Sequence, residues 1–150
     1  MLDLDQCLNI ARSAALTAGK FIVNSQGKNQ EILSNVGRDL KLQLDIDTEK
    51  LIKEHLSSNS SYPILGEETG ESEELGELYW VIDPLDGTSN FLRGIPISCV
   101  SIALMQNMIP ILGVIYDFNH DEIYFGHKES KAFINDEEIY VSSLSLRSES

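Results

Sequence analysis

The order in which hydrophobic periods appear along this chain restricts its fold more than any single motif does. Leu4, Leu8, Ala11, Ala15, Ala18 and Ile22 recur at alternating spacings of four and three. That is one face of an amphipathic helix, predicted over roughly residues 3 to 25 and closed by Ser25-Gln26-Gly27. The small alanines on this face predict close packing against a sheet or another helix. A second helix is predicted from about Asp47, with Glu49 in its first turn and Leu51, Ile52 and Leu56 facing inward. It runs out into Ser57-Ser58-Asn59-Ser60-Ser61. Between the two, residues 28 to 44 show no clear period. Asn35-Val36-Gly37-Arg38-Asp39 reads as a loop, and Leu40-Lys41-Leu42-Gln43-Leu44 alternates as a strand does.

After the short apolar step Pro63-Ile64-Leu65, residues 67 to 77 hold six glutamates and read as an exposed loop. From Leu78 the character changes. Tyr79 to Ile82, Ile97 to Leu104, Ile109 to Tyr116, Glu122 to Phe125, Ala132 to Ile134 and Ile139 to Val141 all read as strands. Turn signals such as Phe118-Asn119-His120-Asp121 and Asn135-Asp136 separate them. Helices first and strands later make an α+β order, not the alternation of a doubly wound sheet. The expectation is one α+β domain over residues 1–150, its N-terminal helices packed on a mostly antiparallel sheet. A hydrophobic content of 42% is enough for a core. Residues 142 to 150 are polar and carry no fold signal.

Charge narrows the partners. Lys and Arg number 11 against 24 Asp and Glu, a formal charge of −13. So acidic a chain is poorly suited to a nucleic acid polymer or an anionic membrane. No stretch reaches the ~18 apolar residues of a membrane span. The acidic start, MLDLDQCLNIARS, lacks the basic and apolar blocks of a secretory signal. Cys7 and Cys99 are too few for a disulfide scaffold and not spaced as a metal motif, which favours a reducing cytoplasm. His55, His120 and His127 are scattered without ligand spacing, Trp80 reads as packing, and Met105 and Met108 read as core or loop packing.

One acidic stretch needs a different account. In YWVIDPLDGTSNF, a buried-strand pattern ends in Asp83 and Asp86 around Pro84 and Leu85. Asp-Pro-x-Asp-Gly alone is an ordinary turn signature. Both side chains and the Leu85 carbonyl can also converge on one side, and oxygen-only convergence suits Mg²⁺, Mn²⁺ or Ca²⁺. Gly87 allows close backbone approach, and Thr88-Ser89-Asn90 can open a short helix whose amides favour an anionic oxygen. Two further acidic points precede it. Glu67 lies 16 residues earlier in Gly66-Glu67-Glu68-Thr69, and Asp45 sits in Leu44-Asp45-Ile46-Asp47-Thr48-Glu49, where helix capping is the simpler role.

Taken together, Gly66-Glu67-Glu68 and Trp80-Val81-Ile82-Asp83-Pro84-Leu85-Asp86-Gly87-Thr88-Ser89-Asn90-Phe91 resemble the inositol monophosphatase family of metal-dependent phosphatases. The resemblance continues through Gly94-Ile95-Pro96, Val100-Ser101-Ile102-Ala103-Leu104 and Gly113-Val114-Ile115-Tyr116, and with Asp45 to Glu49 spans most of the chain. It implies Mg²⁺ held by Glu67, Asp83, Asp86 and the Leu85 carbonyl, with Asp83 bridging two ions and Glu67 orienting the attacking water. It implies that Thr88, paired with Asp45, activates that water, and that Asp86 and the Gly87 and Thr88 amides meet the substrate and its phosphate. It also implies a small phosphorylated substrate, a mobile flap over Asn35 to Lys41, and a homodimer in the full-length form.

The resemblance covers the first half of the family's layered α/β/α/β/α sandwich. The later Trp-Asp-x-Ala-Gly motif, which adds an aspartate to metal and substrate, has no counterpart here, and Glu129-Ser130-Lys131 replaces a common glycine-rich turn. Little turnover is therefore expected of this chain alone. The substrate expected is inositol monophosphate or a similar polyol phosphate. The enzymatic alternatives are a 3′-phosphoadenosine 5′-phosphate nucleotidase and a fructose-1,6-bisphosphatase-like enzyme; Ser89-Asn90-Phe91 stands where the nucleotidases often carry Lys-Glu-Phe. The alternative that is not an enzyme is a metal-binding remnant without turnover.

Overall fold

The computed structural model describes residues 2–29, 33–71 and 74–143. Two long helices come first, α1 (Leu4–Asn29) and α2 (Leu33–Asn59). They lead into β1 (Ile64–Gly66), β2 (Gly70–Glu71) and β3 (Leu78–Asp86). A short helix, α3 (Thr88–Leu92), precedes β4 (Cys99–Gln106), β5 (Ile109–Asp117), β6 (Glu122–His127), β7 (Ala132–Ile134) and β8 (Glu137–Ile139). Among the described residues the strands make one eight-stranded sheet in the order β2-β1-β3-β4-β5-β6-β7-β8. Only β1 and β3 pair in parallel; the other neighbours are antiparallel. This is the α+β arrangement expected, with the helices on one face.

The periodic face of α1 is the helix side of the core. All six of its predicted inward residues are buried, joined by Cys7 and Ala14. α1 lies over β4, β5 and β6, and α2 over β3. The strands answer with alternation: Val100, Ile102 and Leu104 are buried while Ser101, Ala103 and Met105 between them are half-buried. Ile115, on β5, is 46% exposed on the sheet face away from the helices. The alanines let α1 approach closely, and Gly19 is the point of closest approach. A Cβ there would stand 2.3 Å from the Tyr116 ring and 3.2 Å from Phe118 Cβ.

Several expectations are corrected. α1 runs on through Gly27 to Asn29 rather than ending at Ser25. The loop at Asn35 to Asp39 and the strand at Leu40 to Leu44 both fall inside α2. The physical reason is visible in the spacing: Leu40 and Leu44 are four apart, which suits a helix as well as an alternating strand. Glu49 is thus in the middle of α2, not in a first turn. The glutamate-rich loop holds one more strand, β2, hairpin-paired to β1 through Gly66 and Gly70, while residues 72 and 73 lie outside the described residues. Residues 144–150 of the polar C-terminal stretch lie outside them as well. Finally, Met108 is not in the core: it is 82% exposed in the two-residue β4–β5 turn, where Asn107 and Met108 both take positive φ.

Gly19→Ala tests the helix–sheet contact. On an exposed helix this change gains about 1 kcal/mol of propensity. Here the new methyl meets a ring that is nearly fully buried and tethered through its hydroxyl to Asp121 Oδ1 at 2.7 Å. Overpacking of about 1–3 kcal/mol then wins, and Tm falls instead of rising. A calorimetric scan of both proteins reads the sign.

Candidate active site

The parallel pairing of β1 with β3 builds this site. Ile64, Leu65 and Gly66 pair with Trp80, Val81 and Ile82 in a constant register. One step further along both strands, the same register sets Glu67 beside Asp83. Both strands have buried residues up to that point, so the two acids emerge together where the sheet opens. Glu67 stands close enough there to disfavour charge on the Asp83 carboxyl.

β3 continues past β1 with β4 as partner, and its pairing shifts between Asp83, opposite Ser101, and Asp86, opposite Cys99. The expected turn at Asp-Pro-Leu-Asp is therefore a bulge inside a strand. A bulge accommodates Pro84, which has no N–H to give the ladder. Pro84 and Leu85 are buried and anchor the bulge, which leaves Asp83 half-buried and Asp86 exposed. The Asp83 carboxylate accepts from the Leu85 N–H at 3.2 Å. The Leu85 carbonyl accepts from the Thr88 hydroxyl at 2.8 Å, and a carbonyl oxygen keeps a second lone pair for another partner. Gly87 follows at φ 79°, and a Cβ there would stand 2.6 Å from the Ile97 carbonyl oxygen, so only glycine fits. Its carbonyl accepts from the Asn90 and Phe91 N–H groups and starts α3.

Glu67, Glu68 and Thr69 form the turn of the β1–β2 hairpin, and a residue the sequence reading missed holds it. The Glu49 side chain is fully buried. Its Oε2 accepts from the Glu68 N–H at 2.7 Å and its Oε1 from the Thr69 N–H at 3.1 Å. The Thr69 hydroxyl also donates to Oε1, and Lys53 Nζ lies 3.1 Å from it. Burial disfavours the carboxylate, but these bonds outweigh it and hold Glu49 below the usual range. The signal for it was present: Glu49 falls four residues after Asp45 and three before Ile52, on the inward stripe of α2.

The potential around the bulge is strongly negative. Burial, then the Glu67 charge and hydrogen bond, then Asp86, push Asp83 up to about 7. Burial and the charges of Asp86, Asp83 and Asp117 push the Cys99 thiol up to about 11. In both groups burial is the larger cause, and the neighbouring carboxylates add to it in the same direction. An oxygen-only donor set in such a potential fits a hard divalent cation.

Glu67 and Asp83 are brought into contact, and Asp86, Leu85, Gly87 and Thr88 follow within the same bulge and helix start. Asp45 is buried on α2, which touches α3, the helix that Thr88 opens. Among the described residues, no three Asp, Glu, His or Cys side chains stand as a ready group of ligands around one ion.

This fold and motif order match known proteins. The sequence model of the inositol monophosphatase family fits residues 3–150. Inositol monophosphatase 1 of Solanum lycopersicum is 37% identical over 148 residues, covering 95% of this chain and 54% of the tomato protein. The fructose-1,6-bisphosphatase/inositol-1-monophosphatase of Aquifex aeolicus is 35% identical over 144 residues, or 94% of this chain and 54% of the other. Among solved structures, the inositol monophosphatase of Anabaena superposes with a TM-score of 0.79 at 34% identity, over 96% of this chain and 52% of that one. The chain belongs to the inositol monophosphatase family. It spans about half the length of the relatives it matches.

The raised Asp83 makes the metal-free protein sensitive to pH. An unfolded aspartate ionises near 3.8, whereas in the fold it holds its proton to about 7. The folded state therefore binds more protons across that interval, and stability falls as pH rises from about 4 to about 7, then levels. Asp83→Asn should flatten this slope and raise Tm at neutral pH, with no gain below pH 4. Thermal scans in chelator across pH 4–8 read the difference between the two proteins.

Proposed function

We propose that this chain carries the cation-binding part of a Mg²⁺-dependent phosphomonoesterase acting on inositol monophosphate or a similar small polyol phosphate. The observation that carries the reading is the contact of Glu67 with an Asp83 raised to about 7, beside Asp86. A phosphate dianion repels an approaching hydroxide, so hydrolysis at neutral pH needs positive charge at this place. Bound divalent ions neutralise phosphoryl oxygens and acidify a water molecule.

In this reading Glu67, Asp83, Asp86 and the Leu85 carbonyl would hold Mg²⁺. Glu67 orients the attacking water. Thr88, paired with Asp45 as the resemblance implies, takes part in removing the water's proton, and the Gly87 and Thr88 amides meet the phosphate at the start of α3. These amides open a helix and have no acceptor within it, which supports that role. Asp86, exposed at the rim, reaches the alcohol side of the substrate. The name of the Aquifex relative covers two substrates, and it supports a sugar bisphosphatase as the second reading.

The same proposal extends to the setting of the full-length protein. Two free cysteines support a reducing, cytoplasmic compartment. Among the described residues no helix is long and apolar enough to cross a membrane. A homodimer of the full-length form, as the family resemblance implies, belongs to the same reading.

Titration calorimetry and turnover of inositol 1-phosphate test the proposal. The chain should bind Mg²⁺, and Glu67→Gln should weaken binding while far-UV circular dichroism is unchanged. Turnover should lie several orders of magnitude below that of the tomato relative, because positioning of the leaving group contributes about 7–11 kcal/mol to such reactions. Unaltered Mg²⁺ affinity in Glu67→Gln would overturn the reading. Turnover equal to the relative's would show that this segment positions the leaving group unaided.

A further inference from the structure

We propose that Glu49 is a positioning residue for the cation site: its buried carboxylate sets where Glu67 stands by clamping the two backbone amides that follow it. The inference rests on the reading of Glu67 as a cation ligand. Glu67 is exposed at the tip of a hairpin turn, between strands of three and two residues. So short a pair cannot fix its own turn to the tolerance a coordinated ion needs. The fixing comes from α2. Oε2 of Glu49 takes the Glu68 N–H at 2.7 Å, and Oε1 takes the Thr69 N–H at 3.1 Å together with the Thr69 hydroxyl. Both oxygens are used, and a carboxylate is the only side-chain group of this size that accepts on both sides.

Two further features have no other evident purpose. Gly66, just before Glu67, is shaped around this carboxylate: a Cβ there would lie 2.2 Å from Glu49 Oε1 and 2.5 Å from its Cδ. Lys53, one turn on along α2, balances the buried charge at 3.1 Å and itself donates to the Gly70 carbonyl at 3.0 Å, closing the far side of the turn. Glu49 touches no predicted ligand atom. It acts on the backbone just after Glu67, and the cation would feel it only through that geometry.

The discriminating variants separate charge from position. Glu49→Gln keeps size but gives up one accepting oxygen, since its amide nitrogen cannot accept from an N–H. Gly66→Ala leaves Glu49, Lys53 and every predicted ligand in the chain and displaces the carboxylate sterically. Ile52→Val, one turn away on α2, controls for lost stability. Two readouts are made on this chain: amide hydrogen exchange at Glu68 and Thr69 in chelator, and Mn²⁺ affinity from the free-ion electron paramagnetic resonance signal. In Glu49→Gln and Gly66→Ala both amides should exchange faster, and Mn²⁺ should bind about tenfold or more weakly, the usual effect of losing a group behind a ligand. Ile52→Val should change neither.

Faster exchange with unchanged Mn²⁺ affinity overturns the proposal, because the clamp would then serve the fold alone. Unchanged exchange in Glu49→Gln overturns it too, because the clamp would not exist. If the unaltered chain binds no Mn²⁺, the cation reading of Glu67 fails and this role fails with it. That failure is recognisable because the exchange readout, made without metal, still reports whether Glu49 holds the turn.

Discussion

A single backbone register, β1 running parallel to β3 with Gly66 opposite Ile82, determines where the chemistry of this protein can be. Continuing that register by one residue brings two carboxylates into contact, and like charges at that range oppose each other unless a proton or a cation intervenes. Nothing local would keep them there. They stay because Trp80 and Ile82, three and one residues before Asp83, are buried beneath α2 and cannot slide without exposing the core. A slip of one residue would turn every side chain of β3 to the wrong face. Hydrophobic burial on the strand thus imposes a polar arrangement at its end.

The bulge at Asp83 to Asp86 and the clamp from Glu49 are two solutions to the same difficulty. A flat strand would point Asp83 and Asp86 to opposite faces, because they are three residues apart and side chains alternate. The extra residue in the bulge resets that alternation, and buried Pro84 and Leu85 hold it in place. The hairpin turn carrying Glu67 has no such anchor of its own and takes it from a helix. Each acid is therefore positioned by something buried directly behind it.

Much of this was legible in the sequence, and the failures have physical causes. The inward stripe of α1 and the later strands showed their periods because one face of each is buried and the other is not. The first part of α2 did not, since a five-residue alternation is also a four-residue spacing and Gly37 with Arg38 and Asp39 looks like a turn. Asp83, Asp86 and Glu67 stood out through spacing and resemblance together. Glu49 did not stand out, because a glutamate near an expected helix start has an ordinary dipole role. Only the true start of α2, at Leu33, moves it into the middle of the helix and onto the buried stripe. Asp83 to Asp86 carries the residues of a turn, and a bulge uses the same ones, so the sequence alone does not separate the two.

The seating of α1 on β5 has a consequence for how the protein is made. Gly19 rests against Tyr116 and Phe118, which lie far along the chain, whereas β3 to β8 pair with their sequence neighbours. The strands form a meander whose contacts close over short loops, the kind that forms fastest. A ribosome adds about 5–20 residues per second, so α1 emerges about 5–20 s before the strand that receives it. During that interval its stripe of leucine, alanine and isoleucine has no sheet to cover it. Of the elements α1 packs against, α2 follows it directly and can meet it at once, whereas its sheet-facing stripe has to wait for strands made much later.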